Sequence, residues 1–309
     1  MTKLTLGPLL YHWPAARRRD FYAKIADEAP FDSVYLGEVV CGKRLPWYEK
    51  DLPEIAERLR RAGKEVVFST PALVSERRDV ALIERLCAAG ETVEINDLAA
   101  LPIAGGKPFV CGPLLNVFNE GALDVVRRFG ASRIGLPIEL SRESIAHLAA
   151  HNAQGETEVL VFGREPLAIA QRCYHARAFD LHKDNCQFVC ESPADGLEVT
   201  DLDGRPLLAL NGTQILSYAF VAPLDELVGL AAAGVSHFRL SPQSLDMPAI
   251  ARVYRDILDH VINAEEGLVR LRAFTGALPL VDGYVHGNAG MVWQAATRAQ
   301  AISAQNASF

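Results

Sequence analysis

The chain has 309 residues, half of them apolar and 22% charged, with a net charge of −7 and a pI of about 5.7. That balance suits a globular protein with a sizeable core and argues against a surface built for nucleic acid or anionic lipid. No apolar run reaches the roughly 18–20 residues of a membrane span, and the apolar start lacks the basic region and cleavage site of a signal peptide. A cytoplasmic location is expected, and there six cysteines suggest metal binding, catalysis or burial before disulfides.

In chain order, short β-branched runs predict strands at 4–9, 33–36, 65–69, 92–95, 108–111, 133–136, 158–162 and 236–240. Between them lie helical patterns. Residues 51–62 repeat Leu52, Ile55, Ala56 and Leu59 at the helical period, and 75–89 open on Ser75 and carry Leu82, Ile83 and Leu86 on one face. Residues 141–149, 223–233 and 247–261 follow the same logic, while the fourth connection, 97–106, has room only for an abbreviated helix.

Eight strands with intervening helices predict an α/β fold of the (β/α)8 TIM-like barrel type. A doubly wound sheet would need a glycine-rich first turn, and Leu10-Tyr-His-Trp-Pro14 offers none. A long insert, 163–216, interrupts the repeat between strands 7 and 8. Within it Asp203-Gly204 marks a hairpin, since both residues tolerate positive φ. The expected organisation is one barrel domain over 1–290, insert included, followed by a polar tail at 291–309.

Three of the cysteines fall in the insert: Cys173, then twelve residues, Cys186, then three, Cys190. Cys41 stands just beyond the second strand. In a barrel both regions emerge at the C-terminal mouth, where four thiolates can enclose one metal centre. Cys87 and Cys111 read as core residues. The polar surroundings of the trio, with His175, Arg177, His182 and Lys183, make burial a poor account of three thiols. Zinc usually shows paired Cys-x2-Cys knuckles or Cys/His spacing. Neither occurs, yet spacing alone leaves zinc and an iron–sulfur cluster both open.

Five blocks carry a family resemblance: Tyr35-Leu-Gly-Glu-Val-Val-Cys-Gly-Lys-Arg44, Arg172-Cys-Tyr-His-Ala-Arg177, Asn185-Cys-Gln-Phe-Val-Cys190, Leu210-Asn-Gly-Thr-Gln-Ile-Leu-Ser217 and Asp282-Gly-Tyr-Val-His-Gly-Asn-Ala-Gly-Met291. Together they resemble the collagenase-like peptidase family, and within it the branch of anaerobic ubiquinone biosynthesis. The resemblance implies a 4Fe–4S cluster on Cys41, Cys173, Cys186 and Cys190, and a heterodimer with a sister protein, UbiU. It also implies a shared pathway with the lipid-carrier protein UbiT and oxygen-independent hydroxylation of the ubiquinone ring precursor. Asn211-Gly-Thr-Gln214 replaces the Asn-Ser-x-Asp-Leu block of peptidase-type members, and neither His-Glu-x-x-His nor Gly-x-Ser-x-Gly occurs.

Polar residues at strand ends are candidates for a pocket: Glu38, Arg44, Ser69, Thr70, Asn96, Asn116, Arg164 and Arg239. An arginine pair would suit a dicarboxylate, whereas each residue alone also fits a structural salt bridge. Three functions stay in view. The chain is an iron–sulfur subunit of a hydroxylase, a non-catalytic partner whose cluster stabilises the sister subunit, or, on the weakest grounds, a peptidase.

Overall fold

The computed structural model describes residues 2–294. Eight parallel strands close into a barrel: β1 (Lys3–Leu6), β2 (Ser33–Leu36), β3 (Glu65–Ser69), β4 (Val93–Ile95), β5 (Phe109–Cys111), β6 (Ala131–Gly135), the first half of β7 (Glu156–Ile169), and β11 (His237–Leu240). Closure is made by β11, which pairs with β7 on one side and β1 on the other. This is the (β/α)8 barrel that the alternation predicts.

The helices are α1 (Ala15–Glu28), α2 (Leu45–Glu49), α3 (Leu52–Arg61), α4 (Arg77–Ala88), α5 (Leu101–Ala104), α6 (Glu120–Arg128), α7 (Arg142–His151), α8 (Tyr174–Arg177), α9 (Leu227–Ala232), α10 (Met247–Leu258) and α11 (Ala264–Thr275). The fourth connection is indeed abbreviated, a 3-10 turn and the single turn of α5. The cap of α4 is Glu76 and not Ser75, because Glu76 and Asp79 form a reciprocal capping box. The main core lies between barrel and helices, where Leu4, Leu6, Val34, Leu36, Phe68, Ile83 and Ile134 are buried.

The barrel interior is different in kind. Tyr35, Val67 and Val110 form a small apolar cluster, and around them runs a ladder of charges, buried at Arg133, Glu158, Arg239 and Glu94 and open to solvent at Glu65. Arg133 reaches Glu65 at 2.8 Å, Glu156 at 2.9 Å and the Tyr35 hydroxyl at 3.1 Å. Tyr35 donates to Glu158 at 2.5 Å, and Glu158 accepts from Arg239 Nε at 2.8 Å. Arg239 then pairs with Glu94 at 2.7 Å.

Gly163 is where β7 leaves the barrel. Its φ is +115°, and a Cβ there would meet the Ser241 side chain at 2.7 Å, so only glycine fits the bend. Beyond it β7 pairs antiparallel with β10 (Gln214–Val221), β10 with β9 (Pro206–Asn211), and β9 with β8 (Leu197–Thr200). The insert thus extends past the expected end at 216. Its hairpin turns at Asp201–Arg205, where Asp201 Oδ1 accepts from the backbone N–H of Asp203 and Arg205, both at 2.9 Å. On the other side of β10 lies β12 (Leu280–Val281). Of the expected tail, residues 295–309 lie outside the described part of the chain. No helix among the described residues is long and apolar enough to cross a membrane.

Candidate metal centre and barrel-mouth cavity

Two cavities lie at the C-terminal end of the barrel. The smaller, about 340 Å³ including its open side, is lined by Cys41, Cys173, Cys186 and Cys190, with Lys43, Arg44, Lys183, Phe188 and Gly212 among its other walls. The fold therefore brings together all four cysteines that spacing and resemblance single out. Cys87 sits late on α4 and Cys111 ends β5, both apart from this cavity.

Each sulfur has a local cause for its position. Cys41 follows β2, and its N–H and that of Val40 both donate to Glu38 Oε1 at 2.8 Å, curling the loop back on itself. Cys173 caps α8, accepting from Ala176 N–H at 3.4 Å. Between Cys186 and Cys190, Gln187 and Phe188 both adopt left-handed backbone, φ 48° and 53°. Two such non-glycine residues in succession are costly, and they reverse the chain so that both cysteines line one cavity.

The insert is pinned to the β2 loop by two further bonds. Thr213 Oγ1 donates to Val40 O at 2.7 Å, and Lys43 Nζ to Lys183 O at 2.6 Å.

Arg44 is the buried cation of this cage. Its Nη1 donates to Leu10 O at 2.9 Å, its Nη2 to Asn211 Oδ1 at 3.0 Å, and Glu38 lies 3.9 Å away. Its Nε makes no hydrogen bond among the described residues. Burial pushes the thiols of Cys41, Cys173 and Cys190 up, and Arg44 opposes the rise at each. Glu38 is also raised by burial, against the pull of Arg44. Without a metal these are thiols; a metal centre would replace their protons.

The donor set is four soft thiolates beside a buried guanidinium, which fits a negatively charged, thiolate-held metal centre.

The larger cavity, about 590 Å³, opens at the barrel mouth over the charge ladder. Asn96, Arg164 and Arg239 line it, together with Glu94, Gln214 and Ser241. The two arginines are not equivalent. Arg239 is committed to Glu94 and Glu158. Arg164 Nη1 donates to the carbonyls of Ser217 and Tyr218, and its guanidinium lies 5.1 Å from the Tyr218 ring and 5.0 Å from Phe220. Among the described residues Arg164 pairs with no carboxylate, so its charge is the less committed of the two.

The other candidates scatter. Thr70 supports Asn96, accepting from its N–H and Nδ2 at 3.1 Å. Glu38 and Ser69 line a separate groove between α3 and α4. Asn116 is exposed, left-handed at φ 57°, beyond the 3-10 turn that follows β5. His182 is exposed, whereas His175 is fully buried, with Nδ1 3.1 Å from Leu210 O. Asp225, Asp282 and His286 bring donor atoms together near the C-terminal segment but line neither cavity.

Polar residues that the sequence reading passed over include Glu94, Glu158 and Gln214. Their alternation within strands was visible, but nothing local says that a charge rather than an apolar side chain faces the barrel axis.

A model of peptidase family U32 matches residues 18–291. Among solved structures the chain is similar to dihydropteroate synthase from Thermus thermophilus, at 12% identity over 84% of this chain and 93% of that one, with a TM-score of 0.42. It is also similar to a chain of the tryptophan synthase complex from Pyrococcus furiosus, at 11% identity over 88% and 100%, with a TM-score of 0.41. A third is N-acetylneuraminate lyase from Fusobacterium nucleatum complexed with pyruvate, at 11% identity over 87% and 78%, TM-score 0.41.

Proposed function

The chain belongs to peptidase family U32, and on that premise we propose that it is an iron–sulfur subunit of an oxygen-independent hydroxylase. The pathway proposed is anaerobic ubiquinone biosynthesis, in the UbiV branch of the family. Cys41, Cys173, Cys186 and Cys190 hold a 4Fe–4S cluster, and the partners are the sister protein UbiU and the lipid carrier UbiT, in the cytoplasm. The observation that carries this reading is the cage itself. Four thiols from distant segments line one cavity beside a buried arginine.

When bound, such a cluster supplies electrons one at a time. The rest falls to this chain's own residues. Arg44 offsets the negative charge of four thiolates, which makes an added electron less unfavourable. The mouth cavity is walled by apolar Leu10, Leu114, Leu136 and Ile138 and offers Arg164 to an anionic or phenolic group. The ladder beneath it fixes Arg239 and Glu94 as the floor. A ring entering from the mouth would lie against that floor with its polar edge toward Arg164.

The test is anaerobic purification followed by iron and sulfide analysis and visible absorption. About four irons and four sulfides per chain are expected, and each single Cys→Ala change among the four should lower them. A colourless, zinc-bearing protein overturns the reading.

A structural role for the cluster has its own support, because the cage pins the insert to the β2 loop. It is distinguished by the same variants. If a cluster-less protein still pairs with its sister and sustains anaerobic ring hydroxylation, the cluster is structural. Hydrolysis of peptides by the reconstituted protein would instead support a peptidase.

A further inference from the structure

The two cavities share a wall. The turn from Asn211 to Gln214 joins β9 to β10, and it shows one residue to each side. Gly212 lines the cysteine cage, and Gln214 lines the mouth cavity. Side-chain bonds run through the wall without a break. Arg44 Nη2 donates to Asn211 Oδ1 at 3.0 Å, and Asn211 Nδ2 lies 3.3 Å from Gln214 Oε1. Leu10, which also lines the mouth, offers its carbonyl both to Arg44 Nη1 at 2.9 Å and to Asn211 Nδ2 at 2.7 Å.

All three side chains are about 1% exposed, so water cannot substitute for a lost bond. Gly212 has φ +64°, and a Cβ there would come within 2.5 Å of Arg44 Nη2. The guanidinium therefore fits against the turn only because residue 212 carries no side chain.

We infer that Arg44, Asn211 and Gln214 form a relay through which a carboxylate bound at the barrel mouth changes the reduction potential of a cluster in the cage. The inference rests on the iron–sulfur reading of the four cysteines and on Arg164 as the anion donor. Gln214 faces the bound anion, and Asn211 passes any shift of Gln214 to the one cation buried beside the thiols. An anion also disfavours added negative charge on the cluster, so binding should lower the potential. By linkage, reduction then weakens the anion's binding by the same factor. A tenfold difference in affinity between the two redox states corresponds to about 59 mV for one electron. Arg44, Asn211 and Gln214 act here as positioning residues. None is assigned a bond to the reacting atoms.

The test uses the full chain, purified anaerobically with its cluster, and benzoate and malonate as probes. Binding is followed by calorimetry, and the potential by redox titration monitored through the electron paramagnetic resonance of the reduced cluster. The wild type should bind at least one probe, with affinity about tenfold weaker when reduced and a matching fall in potential. Gln214→Leu should keep its iron and still bind through Arg164, but lose more than half of the shift. Asn211→Leu should behave likewise.

A loaded wild type that binds a probe with no change in potential overturns the relay. So does a shift of equal size in Gln214→Leu, which would make the effect plain Coulombic repulsion across the cavity. Failure of both probes to bind overturns the anion site and the relay with it. Protein without iron overturns the cluster reading instead, and iron content tells these cases apart.

Discussion

Replacing Glu158 with glutamine tests whether the charge ladder holds the floor of the mouth cavity. Glu158 is fully buried and accepts from Arg239, Tyr35 and Thr5 at 2.8, 2.5 and 2.5 Å. Burial alone would raise its carboxyl, but Arg239, with help from Arg133, overrides this and holds it down at about 2. The drop from 4.5 to about 2, at about 1.4 kcal/mol per pH unit, contributes about 3 kcal/mol to stability. Because the folded pKa is depressed, that contribution is complete above pH 4.5 and is lost as the pH falls toward 2. Glutamine also turns an amide toward donor hydroxyls and leaves Arg239 with Glu94 alone, so the loss at pH 7 should be about 3–5 kcal/mol. Urea unfolding of metal-free, reduced protein at pH 7, 4 and 2.5 measures it. The gap between wild type and variant should be widest at pH 7 and shrink steadily toward pH 2.5. A gap that is the same at all three pH values would refute the ionic account of the ladder and leave only a packing defect.

Three further outcomes are expected. Gly212→Ala places a methyl 2.5 Å from Arg44 Nη2 at a left-handed position; strain of about 1–2 kcal/mol and displacement of Arg44 should speed iron loss to a chelator while the barrel stays folded. Thr213→Val removes the bond to Val40 O, and urea unfolding should show a loss of about 1 kcal/mol. Glu165 is raised to about 7, first by burial and then by Glu139. A raised carboxyl means that stability falls as pH climbs from 4.5 through 7, so Glu165→Gln should gain about 2–3 kcal/mol at pH 8 and nothing at pH 4. Thermal melts of the two proteins at those pH values check it.

The barrel strands were legible because parallel strands buried on both faces read as short apolar runs, and β2 and β3 lie where such runs begin and end. Convergence of Cys41 with the distant trio was legible for a topological reason, since all βα segments of this fold emerge at one end. What stayed hidden is long-range. The bond from Arg44 to Asn211 spans 167 positions and that from Thr213 to Val40 spans 173, and no local pattern records either. Asn116 does not line the mouth, because it ends the 3-10 turn Pro113–Leu115 in an exposed, left-handed position while Pro113 and Leu114 take the cavity wall. The length of β7 was missed too. Gly163, its only local mark, reads equally well as a strand end.

That single strand bears on what the cage does. Had the insert been a lobe on flexible linkers, its three cysteines could hold a cluster with no consequence for the barrel. Instead β7 runs through Gly163 from barrel into insert, and β10 returns beside it, with Arg164 paired to Phe220 and Gly163 to Val221. Arg164 of the mouth cavity therefore sits on the same strand pair that carries the Asn211–Gln214 turn against the cage. The cage and the cavity are fixed to each other by sheet hydrogen bonds and by Arg44, which binds the turn and faces the thiols. Arg44 is a third pin beside Thr213 and Lys43, because it ties the β2 loop to Asn211 of the insert. It costs desolvation to keep there, and its charge offsets that of the thiolates it faces. Under the proposed function, one residue thus serves both as fastener of the insert and as countercharge to the centre in the cage.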